Sequence, residues 1–226
     1  MLRDALARVR ERIHRACQRC GRDPSSVTLV CVTKGIPIAR IQEASALGMT
    51  DIGENRVQEA RQKQAALGDT GRRLRWHLIG HLQRNKAKDA VGMFGLIHSV
   101  DTLPLVEELT RQAERQHDRP AVLLQVNVSG EAAKHGCRPD DAEALAAAVL
   151  AAPHLDWRGL MTMAPFTNEP EAARPVFQAL RALRDRLQER LGRQPLLLSM
   201  GMSQDFEIAI EEGADLIRIG TALFTP

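Results

Sequence analysis

The pattern of apolar and polar residues changes period several times along the chain, which marks a succession of helices and strands. Apolar residues at Leu2, Leu6 and Val9 recur every three to four positions and predict an amphipathic helix that ends near Arg19. The segment 27–33 is short, β-branched and almost wholly apolar. Such a run is typical of a strand buried on both faces, as strands of parallel sheets are.

The same alternation continues to the end of the chain. Eight strands are predicted, at 27–33, 50–53, 74–79, 95–100, 121–128, 155–161, 196–200 and 214–219. The helices predicted between them are 37–48, 55–67, 83–92, 102–117, 139–151, 170–191 and 204–212. No linker rich in Pro, Gly or Ser interrupts the series, so we expect one domain over residues 1–226.

Strict alternation of strand and helix is compatible with an open doubly wound sheet or with a closed barrel. The count of eight strands favours closure. Neither G-x-G-x-x-G after the first strand nor G-x-x-x-x-G-K-[ST] occurs, so no motif supports a nucleotide-binding open sheet. The fold class predicted is therefore α/β, a single (β/α)8 TIM barrel with an extra N-terminal helix.

The composition argues against nucleic acids and membranes as binding partners. The formal charge is only +3, aromatic residues make up 3% and tyrosine is absent, so we expect no nucleic-acid binding. No apolar run approaches the roughly 20 residues that span a bilayer, so no membrane association is expected. The four cysteines do not form a disulfide framework, and Cys17-x-x-Cys20 is interpreted as two ordinary helix cysteines. We expect a cytoplasmic protein.

Unusual polar and small residues cluster where the predicted strands end. In strand order these residues are Lys34, Glu54, Asn55, Gly80, His81, Ser99, Asp101, Asn127, Ser129, Met161, Thr162, Ser199, Gly201, Ser203, Arg218, Gly220 and Thr221. The chemistry of such barrels takes place at the carboxyl ends of the strands, where the βα loops converge. The sequence therefore predicts a functional site at this end.

Lys34 is the candidate nucleophile of this site. It shares strand parity with Val30 and Val32, so its stem should leave an apolar face while its amine meets the loops. An ammonium group, with a reference pKa of about 10.4, is not a nucleophile, and burial is the usual means of releasing the free amine. We expect Lys34 to be desolvated in this way. The structural alternative is a lysine that merely extends to solvent from a strand end.

A phosphate site is predicted beside the seventh and eighth strands. Glycine and hydroxyl residues close both strands, at 199–203 and at Gly220 and Thr221. Glycines let backbone N–H groups approach an anion, and a helix that begins near Ser203 would add its positive end. Barrels frequently bind phosphate at this location. The alternative is a pair of ordinary turns with Ser203 as a helix N-cap.

Arg218 shares parity with Gly220 and should point into the same site from an otherwise apolar strand. A buried arginine needs a partner. An aromatic nitrogen or a ligand anion would serve, and so would the carboxylate of Asp205 or Glu54.

No metal site is predicted. His77 and His81 have the i, i+4 spacing of a zinc protease helix, but the segment lacks the glutamate and carries a glycine at a probable strand end.

Eight short segments, spread in order over nearly the whole chain, carry a family likeness. They are VTK at 32–34, GEN at 53–55, WHLIG at 76–80, LQRNK at 82–86, QVNVS at 125–129, RGLM at 158–161, SMGMS at 199–203 and RIGT at 218–221. Together they resemble the pyridoxal phosphate homeostasis protein family, which looks like the isolated barrel domain of alanine racemase. One departure is His81, which stands where the family commonly has proline.

The resemblance implies pyridoxal 5'-phosphate (PLP) as cofactor, held as a Schiff base on Lys34. It implies that Arg218 faces the pyridine nitrogen and that Asn55 and Asn127 line the pocket. The residues implied around the phosphate are Ser199, Gly201, Met202, Gly220 and Thr221.

A carrier of PLP is favoured over an enzyme. A positive charge beside the pyridine nitrogen disfavours its protonation and makes the cofactor a poorer electron sink. A two-base racemase of this barrel type would also use a tyrosine from an additional domain, and this chain has no tyrosine. We expect a monomer that serves the intracellular vitamin B6 pool, with apo PLP-dependent enzymes as recipients.

Two enzymes remain as alternatives. An amino-acid racemase would need a second base, with His81 or Asp101 as candidates. A Schiff-base aldolase would use Lys34 without a cofactor.

Overall fold

Eight parallel strands close into a barrel in the order of the sequence. The computed structural model describes residues 1–131, 134–192 and 196–225. The strands are β1 (Thr28–Val32), β2 (Asp51–Glu54), β3 (Arg75–Leu78), β4 (Leu96–Val100), β5 (Ala121–Gln125), β6 (Asp156–Met161), β7 (Leu197–Ser199) and β8 (Leu216–Ile219). The last strand pairs with the first, with Val30 opposite Arg218. The predicted (β/α)8 barrel is therefore confirmed.

Helices connect the strands and form the outer layer. They are α1 (Leu2–Arg19), α2 (Ile38–Ala46), α3 (Val57–Leu67), α4 (Asp69–Arg73), α5 (Ala87–Ala90), α6 (Leu103–Gln116), α7 (Ala142–Ala151), α8 (Arg174–Leu191), α9 (Phe206–Glu211) and α10 (Thr221–Phe224). Short 3-10 helices lie at Pro24–Ser26, Arg84–Lys86, Pro139–Asp141 and Pro170–Ala173. Within the described residues, no helix is both long enough and apolar enough to cross a bilayer.

Three segments differ from the sequence prediction. The helix predicted at 83–92 is a 3-10 turn followed by the single turn of α5. The helix predicted at 55–67 is followed by the unpredicted α4, because Gly68 takes a positive φ of 56° and restarts the helix in a new direction. The last predicted strand is followed by α10, which the sequence analysis did not anticipate.

The buried apolar side chains form two separate groups. Val30 and Cys31 belong to different groups, and so do Leu216 and Ile217. Because successive strand residues point to opposite faces, the smaller group fills the inside of the barrel and the larger group lies between strands and helices. The smaller group consists of Val30, Leu96, Leu123, Met161 and Leu216. Arg218 shares parity with Leu216 and therefore also points inward.

Helix α1 packs on the outer layer through its apolar stripe, as predicted. Leu2, Leu6 and Val9 are almost wholly buried. Its arginine face makes ion pairs with α9, including Arg12 with Glu207 at 3.2 Å. Arg12 and Arg19 of this helix thus have partners within the fold.

Candidate functional site

The predicted site residues do lie together at one end of the barrel. All eight strands run in the same direction, so their carboxyl ends share one rim. Lys34 stands two residues after the end of β1, Asn55 directly after β2, and Gly220 directly after β8. This rim therefore brings the candidate amine close to the loops that follow β7 and β8.

Lys34 is exposed, which corrects the expectation that its amine is desolvated. Lys34 would share the inward face of Val30 and Val32 only if β1 continued to residue 33 or beyond. The strand ends at Val32, and the chain turns through Gly35, which has a positive φ of 69°. Lys34 therefore lies on a turn above the barrel and not on an apolar strand face.

The other lysines are less suited to react. Lys63 is buried and bonded to three oxygens, and Lys134 pairs with Glu131 at 2.9 Å. Lys86 and Lys88 lie in the short helices between β3 and β4. Lys34 is the accessible lysine that directly follows a barrel strand.

A buried ion-pair network lies beneath the turn that carries Lys34. The Lys63 ammonium donates to Glu54 and Glu59, in each case with an Nζ–Oε1 distance of 2.7 Å, and to the carbonyl oxygen of Thr33. The Thr33 hydroxyl donates to Glu54 Oε1 at 2.6 Å. Burial raises the pKa of Glu54, although the bonds from Lys63 and Thr33 partly offset this. The ammonium thus compensates a carboxylate that has no exposure to solvent.

The same network holds the turn from the other side. The backbone N–H of Gly35 donates to Glu59 Oε1 at 2.7 Å. The residues on both sides of Lys34 are therefore bonded to the network, through the Thr33 carbonyl and the Gly35 amide. Lys34 is exposed, but its backbone position is fixed.

The loops after β7 and β8 are joined to each other. The backbone N–H of Ala222 donates to Ser203 Oγ at 3.2 Å. The Met202 amide donates to the buried Asp205 carboxylate at 2.6 Å. No described residue accepts a hydrogen bond from the backbone N–H of Ser203, Gln204 or Thr221. These two loops therefore offer uncommitted donors of the kind that bind an anion.

Close packing also explains why glycine occupies both positions of the predicted phosphate site. Gly201 has a φ of 93°, and a Cβ there would lie 2.5 Å from the Cβ of Ala209. A Cβ on Gly220 would lie 3.3 Å from the Cβ of Val32. The helix after β7 begins at Phe206, so Ser203 is not its N-cap. The positive end of that helix therefore lies farther from Gly201 than the sequence predicted. Thr221 is exposed, while Met202 is half-buried.

Arg218 is buried with 4% exposure and has only neutral hydrogen-bond acceptors among the described residues. It donates to Ser199 Oγ at 2.6 Å and to the carbonyl oxygen of Thr162 at 2.8 Å. Burial lowers the pKa of Arg218 to about 10, and the charge of Asp205 opposes this shift without reaching ion-pair distance. The guanidinium is therefore a buried cation without an anionic partner in the described parts of the chain.

Ser199 belongs to a chain of hydrogen bonds that crosses the inside of the barrel. Its hydroxyl lies 2.8 Å from Nδ1 of His98. Nε2 of His98 lies 2.9 Å from Nδ1 of His77, and Nε2 of His77 lies 2.9 Å from the Asp51 carboxylate. Ser199 and both histidines are fully buried. Ser199 thus holds Arg218 from within the barrel, and its predicted place beside the phosphate stays a prediction.

The two ends of this chain fix the direction of its outer bonds. Arg218 can only donate, so Ser199 accepts from it, and the ionised Asp51 can only accept, so His77 donates to it from Nε2. The two inner bonds depend on the tautomer of His98, because the Ser199 hydroxyl can donate to Nδ1 or accept from it. Burial above all, with the charges of His77 and Arg218, lowers the pKa of His98 well below its ordinary value of 6.5, so its ring is neutral. For Asp51, hydrogen bonds from His77 and Thr50 outweigh burial and lower the pKa.

This chain predicts a pH dependence of stability. Unfolded His98 takes up a proton below its ordinary pKa and the folded residue does not, so its contribution is complete above about pH 6.5 and is lost as the pH falls. Between pH 6.5 and 5, the free energy of unfolding should fall more steeply in the wild type than in His98→Gln, by up to ~1.4 kcal/mol per pH unit. Urea denaturation measures this. His14→Gln, at an exposed histidine, is the matched control. Parallel slopes for wild type and His98→Gln would contradict the neutral assignment.

The two predicted pocket asparagines differ in position. Asn55 is half-buried, and Gly80 packs so closely on its backbone that a Cβ would collide with the Asn55 carbonyl. The Asn127 amide group donates to the carbonyl oxygens of Glu131 and Lys134, at 2.9 and 3.2 Å. The Asn127 side chain therefore closes the loop after β5, and its part in ligand binding stays a prediction.

Comparison with known proteins places the chain in a family. Residues 5–226 match the family model described as alanine racemase, N-terminal domain. The chain is 44% identical to the pyridoxal phosphate homeostasis protein of Aquifex aeolicus over 221 residues, which cover 98% of this chain and 96% of that protein. It is 48% identical to the protein of the same name from Pseudomonas aeruginosa over 219 residues, covering 97% and 93%. The chain belongs to the pyridoxal phosphate homeostasis protein family.

Solved structures agree with this membership. PipY of Synechococcus elongatus, solved with PLP bound, is 39% identical, with a TM-score of 0.86 over 99% of this chain and all of that chain. An alanine racemase of Clostridium difficile has a TM-score of 0.78 but 12% identity, so it shares the fold. This homeostasis-family chain spans 56% of that racemase.

Sequence reasoning missed several residues of this homeostasis-family site. Ser203 was predicted within the phosphate loop or as a helix cap, but its role in joining the loops after β7 and β8 was not predicted. His98 was not considered, although a histidine within the apolar strand 96–100, at the parity of Leu96, signals an inward polar residue. Lys63 gave no signal, because a lysine in an amphipathic helix is ordinarily at the surface.

Proposed function

We propose that this chain binds PLP and takes part in intracellular vitamin B6 homeostasis, with PLP held as a Schiff base on Lys34. The observation that carries this proposal is the full-length likeness to PipY, whose structure contains PLP. The proposal includes a cytoplasmic location, for which the four free cysteines argue, since thiols stay reduced there.

The residues of the rim fit both the phosphate group and the aldehyde group of PLP. The phosphate would meet the uncommitted N–H groups of Ser203, Gln204 and Thr221 and the close-packed backbone of Gly201 and Gly220. Met202 would lie beside the phosphate on the same turn, which the hydrogen bond from its amide to Asp205 holds in place. The aldehyde would meet Lys34, whose backbone the Lys63 network holds. Bound PLP supplies an aldehyde that condenses reversibly with a primary amine and releases one water.

Arg218 supplies the positive charge of the site. Its guanidinium is fixed by Ser199 and the Thr162 carbonyl, and no described carboxylate neutralises it. An anionic ligand or a pyridine nitrogen acting as acceptor would satisfy it. A guanidinium facing the ring nitrogen disfavours its protonation, which weakens carbanion chemistry. The arrangement therefore favours holding PLP over using it in catalysis.

We propose that the chain has no efficient turnover and passes PLP to other proteins. Lys34 is exposed on its turn, so a bound aldehyde stays within reach of solvent and of an incoming amine. Tyrosine, which a two-base racemase of this type would use, is absent from the chain. His81 and Asp101 are the candidate second bases of the racemase alternative, and they lie on the loops after β3 and β4.

A PLP titration combined with a racemisation assay tests this proposal. We expect uptake of one PLP per chain, seen as a shift of visible absorbance, and racemisation of L-alanine no faster than in a Lys34→Ala control. Uptake together with multiple turnovers that are lost in both Lys34→Ala and His81→Ala would identify a racemase instead. A protein that takes up no PLP would refute the binding proposal.

A further inference from the structure

Three potential metal ligands meet on the rim, on the loops that follow β3, β4 and β5. They are His81, Asp101 and His135, and one donor atom of each lies within 4.8 Å of the other two. Nδ1 of His81 lies 3.7 Å from Oδ2 of Asp101. The two imidazole rings are stacked, with centroids 4.0 Å apart and planes 9° apart. None of the three is among the residues proposed to hold PLP.

The carboxylate of Asp101 is incompletely partnered. Asp101 is 8% exposed, and its Oδ1 is buried with no hydrogen-bond partner in the described part of the chain. An unsatisfied buried polar atom of this kind costs about 1–3 kcal/mol, and more when it is charged. A cation between the carboxylate and the two imidazoles would remove that cost.

The loop that carries His135 is held in place by the barrel. The side chain of Gln125 donates to the His135 carbonyl oxygen at 3.0 Å, and the Cys137 amide donates to the Gln125 carbonyl at 2.9 Å. Gly136 has a φ of 124°, and a Cβ there would lie 2.6 Å from the Asn127 nitrogen. His135 is therefore fixed at its backbone, while its exposed ring is held only by stacking on His81.

We propose that His81, Asp101 and His135 bind a divalent transition-metal ion of the Zn²⁺ class. Two imidazoles and one carboxylate suit Zn²⁺ and its neighbours, whereas Mg²⁺ and Ca²⁺ prefer oxygen ligands alone. Ligands about 2.1 Å from a tetrahedral Zn²⁺ are about 3.4 Å apart, so the donors must approach by up to about 1.4 Å. Both histidines are exposed, so rotation of their side chains closes this gap.

The proposed ion would remain accessible. The cluster borders a cleft of about 830 Å³ that is also lined by Arg84 and Arg111. Three protein ligands leave one or more coordination positions open, which is the arrangement of zinc sites that also bind water or a small anion. Arg111 is already paired with Glu108 in this cleft, so Arg84 carries the positive charge that would favour an anion there.

Calorimetric titration of Zn²⁺ into chelator-treated protein tests the proposal, with no PLP present. We expect one ion per chain, with affinity reduced about tenfold or more in each of His81→Ala, Asp101→Asn and His135→Ala. His14→Ala removes an exposed histidine outside the cluster and should bind as the wild type does. Zn²⁺ should also raise the Tm of the wild type but not of His135→Ala, a readout that separates lost binding from lost folding.

Two results would overturn the proposal. One is a wild type that binds no Zn²⁺, which would leave Asp101 as part of a simple ion pair with His81. The other is binding that survives the histidine variants and is lost in Cys20→Ser. Because these titrations need no PLP, they also stand if PLP binding fails, and Lys34→Ala should bind Zn²⁺ normally.

Discussion

Replacement of Lys34 by alanine is expected to abolish the shifted visible absorption that PLP acquires in the wild type, while leaving the fold intact. Lys34 supplies the amine of the proposed Schiff base, and no neighbouring lysine replaces it, since Lys63 is buried and committed. The Lys34 side chain is exposed, so its truncation should change the free energy of unfolding by no more than about 0.5 kcal/mol.

The matched control for this variant is Lys88→Ala, which removes another exposed lysine away from the proposed site. Absorbance titration with PLP and urea denaturation of both variants are the measurements. An unchanged PLP spectrum in Lys34→Ala, at equal occupancy, would refute the assignment of the amine.

Replacement of Lys63 by methionine is expected to cost about 3–5 kcal/mol of unfolding free energy, because it leaves the buried carboxylate of Glu54 unpaired. Lys63 also bonds the Thr33 carbonyl, and its partner Glu59 bonds the Gly35 amide. Loss of the ammonium should therefore loosen the turn that carries Lys34 and weaken PLP uptake as well.

A second substitution shows whether the unpaired charge of Glu54 causes the loss of stability in Lys63→Met. In Lys63→Met/Glu54→Gln the stranded charge is removed, so a large part of the lost stability should return, while Lys88→Met should be near wild type. A double variant as unstable as Lys63→Met alone would show that packing, and not the unpaired Glu54, accounts for the loss. Urea denaturation at neutral pH gives all four free energies.

The barrel was predictable because the same alternation of strand and helix is repeated along the whole sequence. Each strand is a short apolar run and each helix has an amphipathic period, so an error at one boundary leaves the count of eight unchanged. The predicted ends of elements were wrong where a single residue changes the direction of the chain, as Gly68 does between α3 and α4. The burial expected for Lys34 failed for the same reason, since β1 ends at Val32 and a turn follows.

The site was predictable only in part, because several of its bonds join distant residues. The positions of Lys34 and Gly220 follow from strand ends alone. The bond from Arg218 to Ser199 and the group of His81, Asp101 and His135 depend on which loops and strands become neighbours. In the sequence, His81 was compared with His77 because of their spacing, yet His77 points into the barrel and bonds to His98 and Asp51.

The reaction of PLP with one lysine is tested most directly by trapping it. Wild-type protein saturated with PLP is reduced with borohydride and digested, and mass spectrometry locates the modified residue. We predict one pyridoxyl group per chain, on the peptide that contains Lys34. Modification of Lys63, Lys86, Lys88 or Lys134 in its place, or no covalent adduct at saturating PLP, would contradict the proposed site.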